Sequence, residues 1–352
     1  MDRHSQALSL LREGTVIPAI PLVLDENRRF QEEGQRRLVR YYLHAGVGGV
    51  AVAVHTTQFE IRKPGIDLLR PVLTVTAQEM ERFERETGKT LVRVAGVCGP
   101  VEQAVSEAEM ARELGYDAVL LSPGGLAEYP DEYLVERTKA VASCMPVIGF
   151  YLQTACGGRY LPYTYWKQIA DIPNVVAVKC ASFNRYQTLD LVRGVSFSSH
   201  ADDVALYTGN DDNILVDLLT EYRFEEGGVH RSKRFVGGLL GHWSLWTHTV
   251  VKLFEQVRQY RDGRPIPARL LTLAAQISDC NGAFFDVAHN FAGCIPGVHE
   301  VLRRQGLMSG IWCLDPAETL SPGQSEEIDR VYAMYPYLND DDFVRQFLAN
   351  DR

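Results

Sequence analysis

The sequence predicts a (β/α)8 TIM barrel with a C-terminal helical extension. Three observations carry this: about eight short apolar runs bounded by turn residues, amphipathic stretches between them, and runs that are continuously apolar rather than alternating. Continuously apolar strands imply a sheet covered on both faces, as in parallel βα architectures. The first run is Thr15–Leu24 (TVIPAIPLVL), followed by a charged amphipathic helix over Glu32–Ala45. Gly48–Val54 is the second, and a helix near Val72–Glu86 follows it. Thr90–Val97 comes next, with a helix opening at Pro100, a residue favoured in the first helical turn. Asp117–Ser122 precedes a helix over Asp131–Ala142. Pro146–Leu152, Asn174–Lys179, Val204–Gly209 and Arg234–Gly241 complete the series. Glu221–Arg234 reads as a charged surface insertion before the last strand. Beyond Gly241 the chain reads as helical to near Arg304, with breaks at Asp262–Pro267 and Gly293–Gly297. The expected division is therefore a barrel core over 1–241, then the last barrel helix and helical extension over 242–352. No GxGxxG fingerprint follows the first strand, which argues against a dinucleotide-binding sheet.

Length and composition fit this class. A chain of 352 residues corresponds to about two domains or one large barrel, and buries a full core without disulfides or metal staples. With 36 Lys plus Arg against 45 Asp plus Glu, the net charge is −9, so neither nucleic acid nor an anionic membrane is an expected partner. No apolar run is long enough to span a bilayer, and the charged N-terminal segment lacks the features of a signal peptide. Seven scattered cysteines with no CxxC pair read as reduced thiols, and a cytoplasmic location is expected.

In a barrel of this kind, chemistry sits where the strands end at their C-terminal side. The second run ends in His55-Thr56-Thr57, the fifth in Tyr151, the sixth in Lys179 and the seventh in Gly209-Asn210-Asp211-Asp212. Lys179, directly after Val-Val-Ala-Val, points either into the barrel mouth or to solvent. Pointing inward, it would lose hydration, its pKa would fall, and a neutral amine would be available to attack a carbonyl. Tyr151 reads either as an apolar filler or as a phenol that moves protons at a bound carbonyl. Thr56 and Thr57 read as turn residues or as hydroxyl and N–H donors to a carboxylate.

Together these segments resemble the dihydrodipicolinate synthase/N-acetylneuraminate lyase family of class I, Schiff-base aldolases. GTVIPAIPLVLDEN is similar to the family's opening strand, VAVHTTQFE to its glycine-threonine-threonine-glycine-glutamate loop, and GFYLQTACGG to its tyrosine segment. IPNVVAVKCAS is similar to its lysine strand and GCIPGVHEVLRRQGLMSGIWCLDPAETLS to its C-terminal helices. The 28 residues from Tyr151 to Lys179 match the family's spacing. The resemblance implies a lyase or aldolase acting on pyruvate or a hydroxylated 2-oxo acid, with Lys179 as the Schiff-base residue and Tyr151 as the proton carrier. It implies Thr56 and Thr57 as carboxylate-binding residues, and Gly209, Asp211 and Asp212 as contacts to substrate hydroxyls. It further implies no cofactor, no metal, and a homo-oligomer, tetramer or dimer. The same site would also suit a deoxy sugar acid dehydratase, and a non-catalytic barrel binding a 2-oxo acid or sugar acid is the alternative of a different class.

The departures argue against dihydrodipicolinate synthesis itself. His55 and Gln58-Phe59 replace parts of the threonine loop, and Ser122-Pro123-Gly124-Gly125 stands where the synthases have a tyrosine pair. Cys156 falls where their substrate-binding arginine does, with Arg159 three positions away. Two further clusters stand out: Asp286, His289, Cys294 and His299, as core polar residues or metal ligands, and His242, Trp243, Trp246 and His248, as a packing face or pocket wall.

Overall fold

The computed structural model describes residues 1–261 and 263–351. Eight parallel strands form one sheet: β1 Val16–Pro18, β2 Gly49–Val52, β3 Val92–Val97, β4 Ala118–Leu121, β5 Val147–Leu152, β6 Val175–Ala181, β7 Ala205–Thr208 and, after a hairpin of β8 Tyr222–Glu226 and β9 Val229–Lys233, β10 Phe235–Leu240. The order is β1-β10-β7-β6-β5-β4-β3-β2, and a parallel bridge between Ala19 and Ala51 joins the two ends of that order. This is the expected (β/α)8 barrel, and every expected strand is present.

The helices are α1 Arg3–Glu13, α2 Glu32–Ala45, α3 Leu69–Thr87, α4 Val101–Glu113, α5 Asp131–Ala142, α6 Tyr163–Ala170, α7 Arg185–Ser196, α8 Ile214–Leu219, α9 Thr247–Arg258, α10 Arg269–Phe284, α11 Cys294–Arg304, α12 Gln324–Met334 and α13 Asp341–Asn350. Local chemistry explains several boundaries. Asn184 caps α7 by accepting from the N–H groups of Tyr186 (2.9 Å) and Gln187 (3.2 Å). Glu32 and Glu33 sit in the first turn of α2, where the helix dipole favours acids, and Gly46 closes it in the left-handed region. The expected break at Asp262–Pro267 lies between α9 and α10, with Asp262 outside the described residues. The break expected at Gly293–Gly297 lies earlier, because Pro296 sits in the first turn of α11, where its missing N–H costs nothing.

By packing, the chain falls into two compact units, Met1–Thr15 with Val92–Leu239, and Val16–Leu91 with Leu240–Arg352. In the first, α1 is tied down by its own polar contacts: Arg3 and His4 meet the buried Asp117, and Tyr207 Oη donates to the Leu11 carbonyl (2.7 Å). The expected charged insertion is the exposed β8–β9 hairpin, turning at Gly227-Gly228 with positive φ at both. In the second unit, α13 is stapled to α2 by Arg40 and Asp351 (2.6 Å). Among the described residues no helix is long and apolar enough to cross a membrane.

Candidate active site

Side chains on adjacent parallel strands share a face only if their residues are in register, and a one-residue slip moves a side chain to the other face. Between β5 and β6 the pairing begins with Val147 opposite Val175, then places Ile148 opposite Ala177. Strand β6 thus carries one extra residue, Val176, and the offset grows from 28 to 29 residues. Downstream of that bulge Lys179 pairs with Phe150, while Tyr151 pairs with Cys180.

The consequence is a correction to the sequence reading of Tyr151. Its ring stacks on Trp166 of α6 at 5.2 Å, and its hydroxyl accepts from the Leu161 N–H at 3.2 Å. Cys180, in register with it, likewise faces a helix, with Sγ 3.6 Å from Thr188 Oγ1 of α7. Tyr151 is therefore on the helix-packed face, opposite Lys179. Burial also pushes its phenol up to about 12, so it holds its proton near neutral pH.

Lys179 lies on the barrel-lining face, 7% exposed, with Nζ 4.3 Å from the centre of the Phe150 ring. Desolvation pushes its ammonium down to about 8, against the opposing pull of Asp211 first and Cys156 second. Gly209 is what gives the side chain room: a Cβ there would lie 2.6 Å from Lys179 Cε and 2.9 Å from Ala181 Cβ. Asp211 is buried two residues further along the same turn. Cys156 accepts from Gln153 Nε2 at 3.5 Å, and burial raises its thiol to about 11. The structure thus groups Lys179, Gly209, Asp211, Cys156 and Phe150.

Asp212 turns the other way, its carboxylate 4.0 Å from Arg185. That guanidinium pairs chiefly with Asp217 (2.5 Å), a buried carboxylate that also accepts from Thr208 Oγ1 (2.7 Å), Asn210 Nδ2 (2.8 Å), Asn213 Nδ2 (3.0 Å) and Tyr222 Oη (3.1 Å). This network fixes the turn that carries Gly209 and Asp211. Sequence reasoning passed over both Asp217 and Phe150. A carboxylate inside the apolar run ILVDLL was the available signal for the first.

In the second unit, Thr56 Oγ1 donates to the Ala19 carbonyl (2.7 Å) and Thr57 Oγ1 to the Ile20 carbonyl (2.7 Å). Each hydroxyl has one proton, and both are given to the chain leaving β1. Gln58 follows with φ 67°, and its Oε1 accepts from the Leu314 N–H (2.6 Å). Arg159, back in the first unit, pairs with Asp131 (2.9 Å) and donates to the carbonyls of Ala127 and Tyr129.

Residues of the other two clusters have polar and ring partners of their own. Asp286 accepts from the Gly293 N–H (2.9 Å) and Ser321 Oγ (2.5 Å) and pairs with His289 (2.6 Å). No group of three or more metal-ligating side chains occurs among the described residues. His242 bonds Asn281 (2.6 Å), Trp246 packs edge-on against Phe284 and Tyr332, Trp243 against Phe254, and His248 stacks on Phe343.

Comparison with known proteins agrees with this architecture. The model of the dihydrodipicolinate synthetase family matches residues 13–221. The 4-hydroxy-tetrahydrodipicolinate synthase of Desulforudis audaxviator is 26% identical over 269 residues, covering 75% of this chain and 78% of that protein. Among solved structures, dihydrodipicolinate synthase from Oceanobacillus iheyensis superposes with a TM-score of 0.74 at 16% identity, over 96% of this chain and all of that one. N-acetylneuraminate lyase from Fusobacterium nucleatum gives 0.69 at 14% identity, over 92% and 99%. With a family match over more than half its length, this chain belongs to the dihydrodipicolinate synthetase family of lyases.

Proposed function

We propose that the protein is a class I lyase or aldolase in which Lys179 forms a Schiff base with a 2-oxo acid, pyruvate or a hydroxylated relative. The observation that carries this reading is the buried lysine at the end of β6, desolvated and held over an aromatic ring. Such an amine is neutral far more often near neutral pH than a surface lysine, and only the neutral form adds to a ketone. The resulting iminium is an electron sink for making or breaking the adjacent carbon–carbon bond.

Synthesis of dihydrodipicolinate itself is not the proposed activity. The engagement of Arg159 with Asp131 and the absence of tyrosine over Ser122–Gly125 leave that reaction's second carboxylate and proton relay without their residues. We assign Thr56 and Thr57 the pinning of the chain after β1, since their hydroxyl protons are committed there. The test is borohydride reduction with a panel of 2-oxo acids, read by intact mass, beside a coupled assay with aspartate semialdehyde. One reduced adduct per chain supports the reading. Turnover of aspartate semialdehyde at about 1–10³ per second would contradict the exclusion.

A further inference from the structure

The bulge in β6 leaves the reactive lysine facing a phenyl ring where a proton-carrying phenol was expected, and this raises the question of what moves protons there. Phe150 has no exchangeable proton. Tyr151 is on the other face, stacked on Trp166. Tyr207, in register with Lys179, donates its hydroxyl to the Leu11 carbonyl of α1. Among the described residues, Asp211 and Cys156 are the ionisable groups whose charge acts on the amine. The Cys156 thiol is protonated near neutral pH and is a poor base. Asp211 is buried on the turn that begins at Gly209, the residue lying against the lysine's own Cε, and the Asp217 network holds that turn in place.

We propose that Asp211 is the catalytic acid–base group of this site, in place of a tyrosine. The inference rests on the Schiff-base reading of Lys179. In the forward step the Asp211 carboxylate takes a proton from C3 of the pyruvyl iminium. The C3–H bond breaks, its electron pair forms the C2=C3 double bond, and the iminium π pair moves to nitrogen. The products are a neutral enamine and a neutral carboxylic acid; the reverse step returns the proton to C3. Both charges vanish together, which a buried, poorly hydrated site favours. No oxidant or further reactant is needed.

The experiment compares two readouts on the full-length protein with pyruvate: borohydride trapping, which reports the imine, and exchange of the pyruvate methyl protons in deuterium oxide by NMR, which reports proton transfer. Asp211→Asn is expected to keep trapping while exchange falls by about 10²–10⁴, the usual worth of an acid–base group. Asp211→Glu should recover part of the exchange. Exchange at the parent rate in Asp211→Asn overturns the proposal. Loss of trapping and exchange together in Asp211→Asn also overturns it, by making Asp211 a residue that positions the lysine. If the parent protein itself traps no adduct, the Schiff-base reading fails and this one with it.

Discussion

The two faces of the sheet segment β5–β6–β7 hold polar groups in opposite states. On the helix-packed face, Tyr151, Cys180, Thr208 and Asn210 all have hydrogen-bond partners, and Asp217 collects five donors. On the barrel-lining face, the buried Lys179 lies over the Phe150 ring, and desolvation destabilises its ammonium. Satisfied groups stabilise a fold and are chemically quiet; a group held short of full satisfaction is poised to react. The difference between neighbouring residues is a matter of which way the strand turns them.

Four substitutions probe that contrast. Lys179→Ala has the largest expected effect: trapping and turnover disappear. The variant should remain folded by circular dichroism, so that the loss is one of chemistry. Gly209→Ala comes next. Its methyl group would collide with Lys179 Cε, and a displacement of about 1 Å in a reacting group costs about 10²-fold in rate, measured as trapping rate against pyruvate concentration. Asp217→Ala strikes the other face and should lower stability by about 3–5 kcal/mol in a denaturant titration, the usual cost of breaking a buried ion pair. Tyr151→Phe has the smallest effect expected. It removes one acceptor from the Leu161 N–H, costing about 1 kcal/mol, and should leave turnover far above the 10²–10⁴-fold loss of a missing acid–base group. A loss of that size would put the phenol back in the chemistry and erase the distinction between the faces.

The pH profile sharpens the same contrast. Trapping should speed up as pH rises through about 8, where the Lys179 ammonium gives way to the amine, and level off above. Because Asp211 holds the proton on the lysine, Asp211→Asn should shift that midpoint downward.

Most of the architecture was legible in the sequence, for a plain reason. Continuous apolar strands and amphipathic helices are written in local periodicity, and α2 and α5 end where that periodicity ends. Lys179 was legible too, as the first charge after an apolar run. Tyr151 was not, because its face depends on a single extra residue, Val176, that no spacing rule reveals; the 28-residue interval to Lys179 is the very number the bulge makes misleading. Asp217 escaped because its partners come from β7, α7, β8 and the turn before α8. The threonines escaped in a subtler way. Their place in the loop was evident, but the carbonyls that take their protons lie 37 residues earlier in the chain.

The central claim is that a desolvated Lys179 on the barrel-lining face makes the imine. Incubation with pyruvate, reduction with borohydride, and peptide mapping by mass spectrometry test it most directly. The account predicts one reduced pyruvyl group per chain, carried by Lys179 and absent in Lys179→Ala. An adduct on another lysine, or none with any 2-oxo acid tried, would contradict it.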